Sequence, residues 1–256
     1  MKKNRLIKIA SLLFSILFWI LIWALLAYKI NIDLLLPSPL DTLKAIASLA
    51  SSADFWQITA LSILRILIGI IIAVIVGVLL AMLTANLTVA DSLLSPLMTV
   101  IKATPVASFI ILALLWIDRN TLPVFITVLI VLPIVWANIS QGIRAVDKDL
   151  LDVAKVYRFP FAKRLTKVYI PSVMPYFLAA CRASLGMAWK AGIAAEVLCT
   201  PQNAIGTQIY LSKTYIETTE LFAWTLVVIL LSVTIEKLLI FSLSRIAKKL
   251  RIERSI

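Results

Sequence analysis

Six charged residues stand inside stretches otherwise apolar enough to cross a lipid bilayer, Lys102, Arg182, Lys190, Glu196, Glu236 and Lys237, and the first four are the candidates for a translocation path. A charge at the centre of a membrane helix costs about 2.5–3.5 kcal/mol on insertion scales, so each calls for a reason. Lining an aqueous translocation path, the three cations would set a positive potential that favours an anion. The competing reading is structural, in which they snorkel to the headgroups or pair with carboxylates. Arg182 and Lys190 are eight positions apart, about 80° past two full turns, and project to neighbouring faces of one helix. Glu196 lies six residues beyond Lys190, about 120° away around the same helix, so a carboxylate on another span, such as Glu236, is the better placed partner. Lys102, flanked by Pro96 and Pro105, ends one half of a broken span. The residues alone leave path and pairing both open.

Other chemistry is excluded by what the chain lacks. It has no histidine, hence no Ser-His-Asp or Cys-His nucleophile and no imidazole for a metal or for general base work near neutrality. Its two cysteines, Cys181 and Cys199, form no Cys-x-x-Cys and make neither a zinc site nor a convincing disulfide framework. The six glycines contain no phosphate-cradling P-loop. The reading is therefore no catalytic residue, no metal and no resident cofactor. Any nucleotide energy must be bound by another chain.

The elements that position these charges are membrane helices. Of 256 residues 62% are apolar and 15% charged, with a mean hydropathy of +1.02, against about 45–50% and about 25% in soluble domains. A span needs about 20 mostly apolar residues, because lipid offers no partner to backbone polar groups. Ile9 to Tyr28, Ile66 to Ala90 and Asn120 to Ile143 are uncharged and long enough. Ser92 to Ile117, Ile170 to Leu198 and Leu221 to Ser244 carry embedded charges. The expected fold is an all-α integral membrane protein of six transmembrane helices, one domain over residues 1–256 without internal repeats.

Lys and Arg are retained on the cytoplasmic side of spans. The segments before the first span, between the fourth and fifth, and after the last hold sixteen basic residues; the opposite segments hold Lys29, Lys44, Arg65, Arg119 and Lys213. Both termini and Arg144 to Lys167 are therefore expected to be cytoplasmic. This topology signal accounts for the formal charge of +12, and nucleic acid is not an expected partner. The first apolar run, too long for a cleaved signal peptide, reads as a retained span. Pro37-Ser38-Pro39, followed by Asp41 as N-cap, predicts a short outer helix. Gly69 with Gly77, and Gly186 with Gly192, suit close helix approach, and interfacial anchoring explains most of the seven tryptophans.

The stretch from Ala145 to Pro171 is too charged to cross a membrane yet is patterned. Leu150, Val153, Ala154 and Tyr157 recur at helical spacing, with Asp149, Asp152 and Lys155 elsewhere. Arg158-Phe159-Pro160 should break that helix, and Pro160 suits the first turn of a second one presenting Phe161, Leu165 and Val168. Two short amphipathic helices meeting at an elbow would fit a groove on a cytoplasmic partner.

This stretch resembles the EAA loop of permease subunits of bacterial ABC importers: Asp152-Val153-Ala154 stands at Glu-Ala-Ala, Arg158 at the glycine four residues on, and Val168-Tyr169-Ile170-Pro171 at Ile-x-Leu-Pro. Arg158 is the departure with a physical consequence, since glycine enters a left-handed turn freely and arginine at a cost of about 1 kcal/mol or more. Pro96-Leu97-Met98, Lys102 to Trp116, Ala194 to Leu198 and Gly206-Thr207-Gln208-Ile209 look like the nitrate, sulfonate and taurine subfamily, which includes transporters for thiamine pyrimidine precursors. The resemblance covers about residues 35 to 240. It implies a type I importer-like permease whose loop 145–171, through Asp152, Val153, Ala154, Tyr157, Arg158, Phe161 and Pro171, couples to an ATP-binding subunit. It further implies two ATP-binding subunits that hold the ATP, a homodimer of permeases, an extracytoplasmic substrate-binding protein, and a place in the bacterial inner membrane. A stand-alone secondary transporter would place ion-coupling carboxylates midmembrane and have no need of this loop. A membrane-embedded enzyme is disfavoured by the missing histidine and too few convergent carboxylates.

Overall fold

The computed structural model describes residues 2–249 and, among them, contains helices and no strand. Helix α1 (Lys2–Ile30) is followed by α2 (Pro39–Ala50), α3 (Ala53–Asn86), α4 (Thr88–Ala103), α5 (Val106–Ala113) and α6 (Leu122–Arg144). Then come α7 (Lys148–Val156), α8 (Phe161–Arg164), a π-helical turn (Leu165–Tyr169), α9 (Ile170–Cys199), α10 (Ile205–Thr214) and α11 (Thr218–Lys249). Arg251 and Arg254, counted in the basic C-terminal cluster, lie outside the described residues.

The chain is an all-helical membrane protein, but the count of six equivalent spans needs correcting. Helices α1, α3, α6 and α11 each carry a window long and apolar enough to cross a membrane. The third expected span, Ser92 to Ile117, is instead two helices, α4 and α5, bent by 102° at Thr104-Pro105. Pro105 brings no N–H to continue the ladder and pushes Thr104 into extended backbone, with ψ 127°. Helix α9 has 30 residues, about 45 Å of rise, and carries Arg182, Lys190 and Glu196 within it.

Boundaries shift for local reasons. Helix α3 begins thirteen residues before the expected Ile66, because Ser52 caps it by accepting from the Phe55 amide at 3.2 Å. Arg65, expected in a connecting segment, is therefore helical. The N-cap of α2 is Ser38 rather than Asp41: its hydroxyl oxygen accepts from the Asp41 amide at 3.1 Å with Pro39 in the first turn. The Ser38 hydroxyl and then Lys44 hold the Asp41 carboxyl below the usual aspartate range.

The core is the three-way crossing of α3, α6 and α9, with Ile66, Ala73, Val131, Val135, Ala180 and Ala188 buried in it. Close approach depends on glycine. A Cβ on Gly69 would lie 2.6 Å from Thr127 Cβ, and one on Gly77 would lie 2.9 Å from Val135 Cγ1, so the pair spaced eight apart seats α6 against α3. Polar groups bond across the same seam: the Trp136 indole N–H donates to Thr84 Oγ1 at 3.0 Å. Trp189 likewise donates to the Val228 carbonyl of α11 at 3.1 Å. Trp136, Trp189 and Trp224 are thus core residues, whereas Trp19, Trp56 and Trp116 are more than 60% exposed.

Candidate functional site

Between α6 and α9 the chain leaves the bundle to form α7. Asp147 caps it by accepting from the Asp149 amide at 2.9 Å. At its end the Arg158 amide donates to the Lys155 carbonyl and the Phe159 amide to the Ala154 carbonyl, both at 2.9 Å. That is a Schellman stop, with Arg158 in the left-handed region at φ 49°. Pro160 then opens the next helix. The elbow between two helices is present, but the second is not a separate short helix. Helix α8 runs through the π-helical turn into α9, so Pro171 lies within a continuous helix rather than ending a loop. Pro171 has no N–H to give the preceding turn, and the ladder widens there, with the Ile170 amide donating to Leu165.

The apolar residues of α7 divide between two faces. Ala154 is buried with Val146 and Val168, and Leu151, Phe159 and Tyr169 pack around them, fastening α7 to the foot of α9. Leu150, Val153, Val156 and Tyr157 point outward, Val156 being 78% and Tyr157 72% exposed, and Phe161 beyond the elbow is 66% exposed. Asp152 is also exposed and pairs with Lys155 at 3.0 Å. Val156 escapes the sequence reading although it stands only about 60° around the helix from Val153, while Ala154, about 40° from Leu150 and about 60° from Leu151, lies at the border of the two faces and is drawn inward by packing.

The four candidate path charges do not converge. Glu196 is fully buried and turned inward. Its Oε2 accepts from the Ser62 hydroxyl at 2.8 Å and the Gly206 amide at 3.2 Å, and Oε1 faces Arg65 Nη1 at 3.5 Å. Arg65 also donates to the Gln202 and Asn203 carbonyls at 2.6 and 3.1 Å. Neither Ser62 nor Arg65 carries a sequence motif that marks this role. Lys102, Arg182 and Lys190 are exposed and, among the described residues, form no ion pair. The expected bond from Lys190 to Glu236 is not made.

The face bearing two of these cations differs from the others. Helix α3 exposes large aliphatics such as Leu64, Ile71, Ile75 and Leu79, the composition of a surface in lipid. The exposed stripe of α9 is Ala179, Arg182, Ala183, Met187, Lys190, Ala194 and Leu198. Small side chains interspersed with charges suit a water-filled cavity or a partner helix, not hydrocarbon.

Comparison with known proteins bears on the whole arrangement. A family described as the binding-protein-dependent transport system inner membrane component matches residues 73–252. The chain is 32% identical over 186 residues to SsuC of Escherichia coli K12, named for aliphatic sulfonates transport, across 72% of this chain and 70% of that protein. With SsuC of Bacillus subtilis 168 the identity is 25% over 73% of this chain and 68% of the relative. With CmpB of Synechococcus elongatus, a bicarbonate transport system permease protein, it is 30% over 61% of this chain and 56% of the relative. In structure, an amino acid ABC transporter chain crystallised with histidines superposes with a TM-score of 0.55 at 18% identity, covering 75% of this chain and 94% of that one. That likeness concerns the fold.

Proposed function

The chain belongs to the family of binding-protein-dependent transport system inner membrane components, and from that premise we propose that it is the membrane-spanning subunit of an ATP-driven solute importer, docking a separate ATPase through residues 145–171. The chain is a transport permease of the ABC type and not itself an enzyme. The observation that carries the docking is the outward face of α7: Leu150, Val153, Val156 and Tyr157 stay exposed while Ala154 holds the helix to the foot of α9. A helix with an apolar face and no partner among the described residues suits a groove on another protein. Its anchorage to α9 gives a rigid route by which ATP-driven motion of the partner tilts the spans.

The assembly is two such chains and two ATP-binding subunits, which hold the ATP, with a binding protein delivering solute on the outer face. The termini and α7 lie in the cytoplasm and the bundle in the bacterial inner membrane, as the sixteen basic residues on one side support. The α9 stripe with Arg182 and Lys190, together with Lys102, borders the path. The solute is a small anion, of which sulfonate, taurine, nitrate and bicarbonate are examples, with a thiamine pyrimidine precursor as the neutral alternative.

Tyr157→Glu and Asp152→Lys test the docking. Each is expected to abolish co-purification of the ATPase while leaving the permease in the membrane at normal abundance. A complex that survives both with normal transport would sink this reading.

A further inference from the structure

We propose that Asp91 and Arg144 are a positioning pair that carries movement of α7 into α4, the cytoplasmic half of the broken span, and so to the bend beside Lys102. The proposal rests on α7 docking the ATPase.

Arg144 is the last residue of α6, and Asp91 stands in the first turn of α4. Arg144 Nη2 lies 2.8 Å from Asp91 Oδ2, within the short range of charge-assisted bonds. Each charge also occupies the helix end that its sign favours, the carboxylate at an N-terminus and the guanidinium at a C-terminus. The Arg144 side chain is 55% exposed and that of Asp91 30%, and an ion pair in so open a setting adds little to the stability of a fold. Its role lies in what it joins. Among the described residues, no other side-chain hydrogen bond or ion pair ties α4 to another helix; the Ser92 and Thr99 hydroxyls donate to the Thr88 and Ser95 carbonyls within α4 itself.

On one side of the pair stands the mount of α7. The Ala145 amide donates to the Gln141 carbonyl at 2.9 Å, Val146 is buried with Ala154 and Val168, and Asp147 is already the cap of α7. A connection this short and packed moves α7 and the end of α6 together. On the other side, α4 runs about 18 Å from Asp91 to Ala103 and the 102° bend at Thr104-Pro105. Met98, between them, is buried in the bundle core. Helix α4 is thus held at its middle, and a pull on its first turn is felt at its last.

The test uses the permease with its co-purifying ATPase in open membranes, with Cys181 and Cys199 replaced by alanine and the exposed Ala103 by cysteine. The rate of reaction with a charged thiol reagent is measured before and after the ATPase is trapped with ATP and orthovanadate. In this parent the rate is expected to change about fivefold on trapping, the low end of coupled sites. Asp91→Asn and Arg144→Gln should each abolish that change while the ATPase still co-purifies, and Asp91→Glu, which keeps the charge, should retain it. A response that survives either neutral variant, is lost in Asp91→Glu or is absent from the parent would overturn the proposal. So would loss of the ATPase from the neutral variants alone, which would make the pair part of the dock. An ATPase that fails to co-purify with the parent would instead overturn the docking of α7, and the role of the pair with it.

Discussion

Arg158 occupies a left-handed turn that glycine enters without a Cβ penalty, and Ile216 does the same at the end of α10, with φ 61°. At both places the hydrogen bonds are those of a Schellman stop; the Glu217 amide donates to the Ser212 carbonyl at 2.8 Å. None of the six glycines has a positive φ. They sit in helices instead, so these helix ends could not be found by looking for glycine. The strain is local and measurable. Arg158→Gly should stabilise the α7 elbow by about 1 kcal/mol, seen as roughly fivefold slower hydrogen exchange at the Phe159 amide under native conditions. An unchanged rate would mean that the turn is held by Phe159 packing alone. Ile216→Gly should give the larger effect, because a β-branched residue is the poorer occupant of this region.

Among the elements, the corner between α9 and α10 is the most tightly specified. A Cβ on Gly206 would lie 2.3 Å from Glu196 Cβ and 2.4 Å from the Val197 nitrogen, so Gly206→Ala must push α10 away and break the bond from its amide to Glu196. A loss of about 1–3 kcal/mol is expected, read as a lowered unfolding midpoint in detergent. Glu196→Gln should weaken the same corner by leaving Arg65 without its counter-charge, and restoring stability in Arg65→Gln/Glu196→Gln would show that the two act as a pair. A midpoint unmoved by Gly206→Ala would remove the corner from the structural account. This corner also marks where sequence reading stops. The spans were legible from apolar runs, because lipid demands about 20 residues of helix whatever the packing; α6 and α9 fall within two residues of expectation at their starts. Ser62 and Arg65 were not, since their partners lie 134 and 131 positions away and no local period encodes such a contact. The bend at Pro105 was legible, while the fusion of α8 with α9 was not, because Pro171 reads as a stop unless the preceding turn widens.

On the scale of the whole molecule, the surface falls into two kinds of exposed helix face, and they should meet different solvents. Ile71, Ile75 and Leu79 on α3 are exposed aliphatics that belong in hydrocarbon, where a thiol meets neither water nor a charged reagent. Ala183 and Ala194 share the α9 face of Arg182 and Lys190. With the buried native Cys181 and Cys199 replaced by alanine, a cysteine at Ala183 or Ala194 should react with a membrane-impermeant, charged thiol reagent applied to open membranes. One at Ile75 should not. Water lets a thiol ionise and nearby positive charge raises its thiolate fraction, so the neighbouring cations should further hasten the reaction at Ala183. Failure of the cysteines at Ala183 and Ala194 to label, like that at Ile75, would place the α9 stripe in lipid. The two cations would then have to reach the headgroups, and an anion path along this face would have no water to run through.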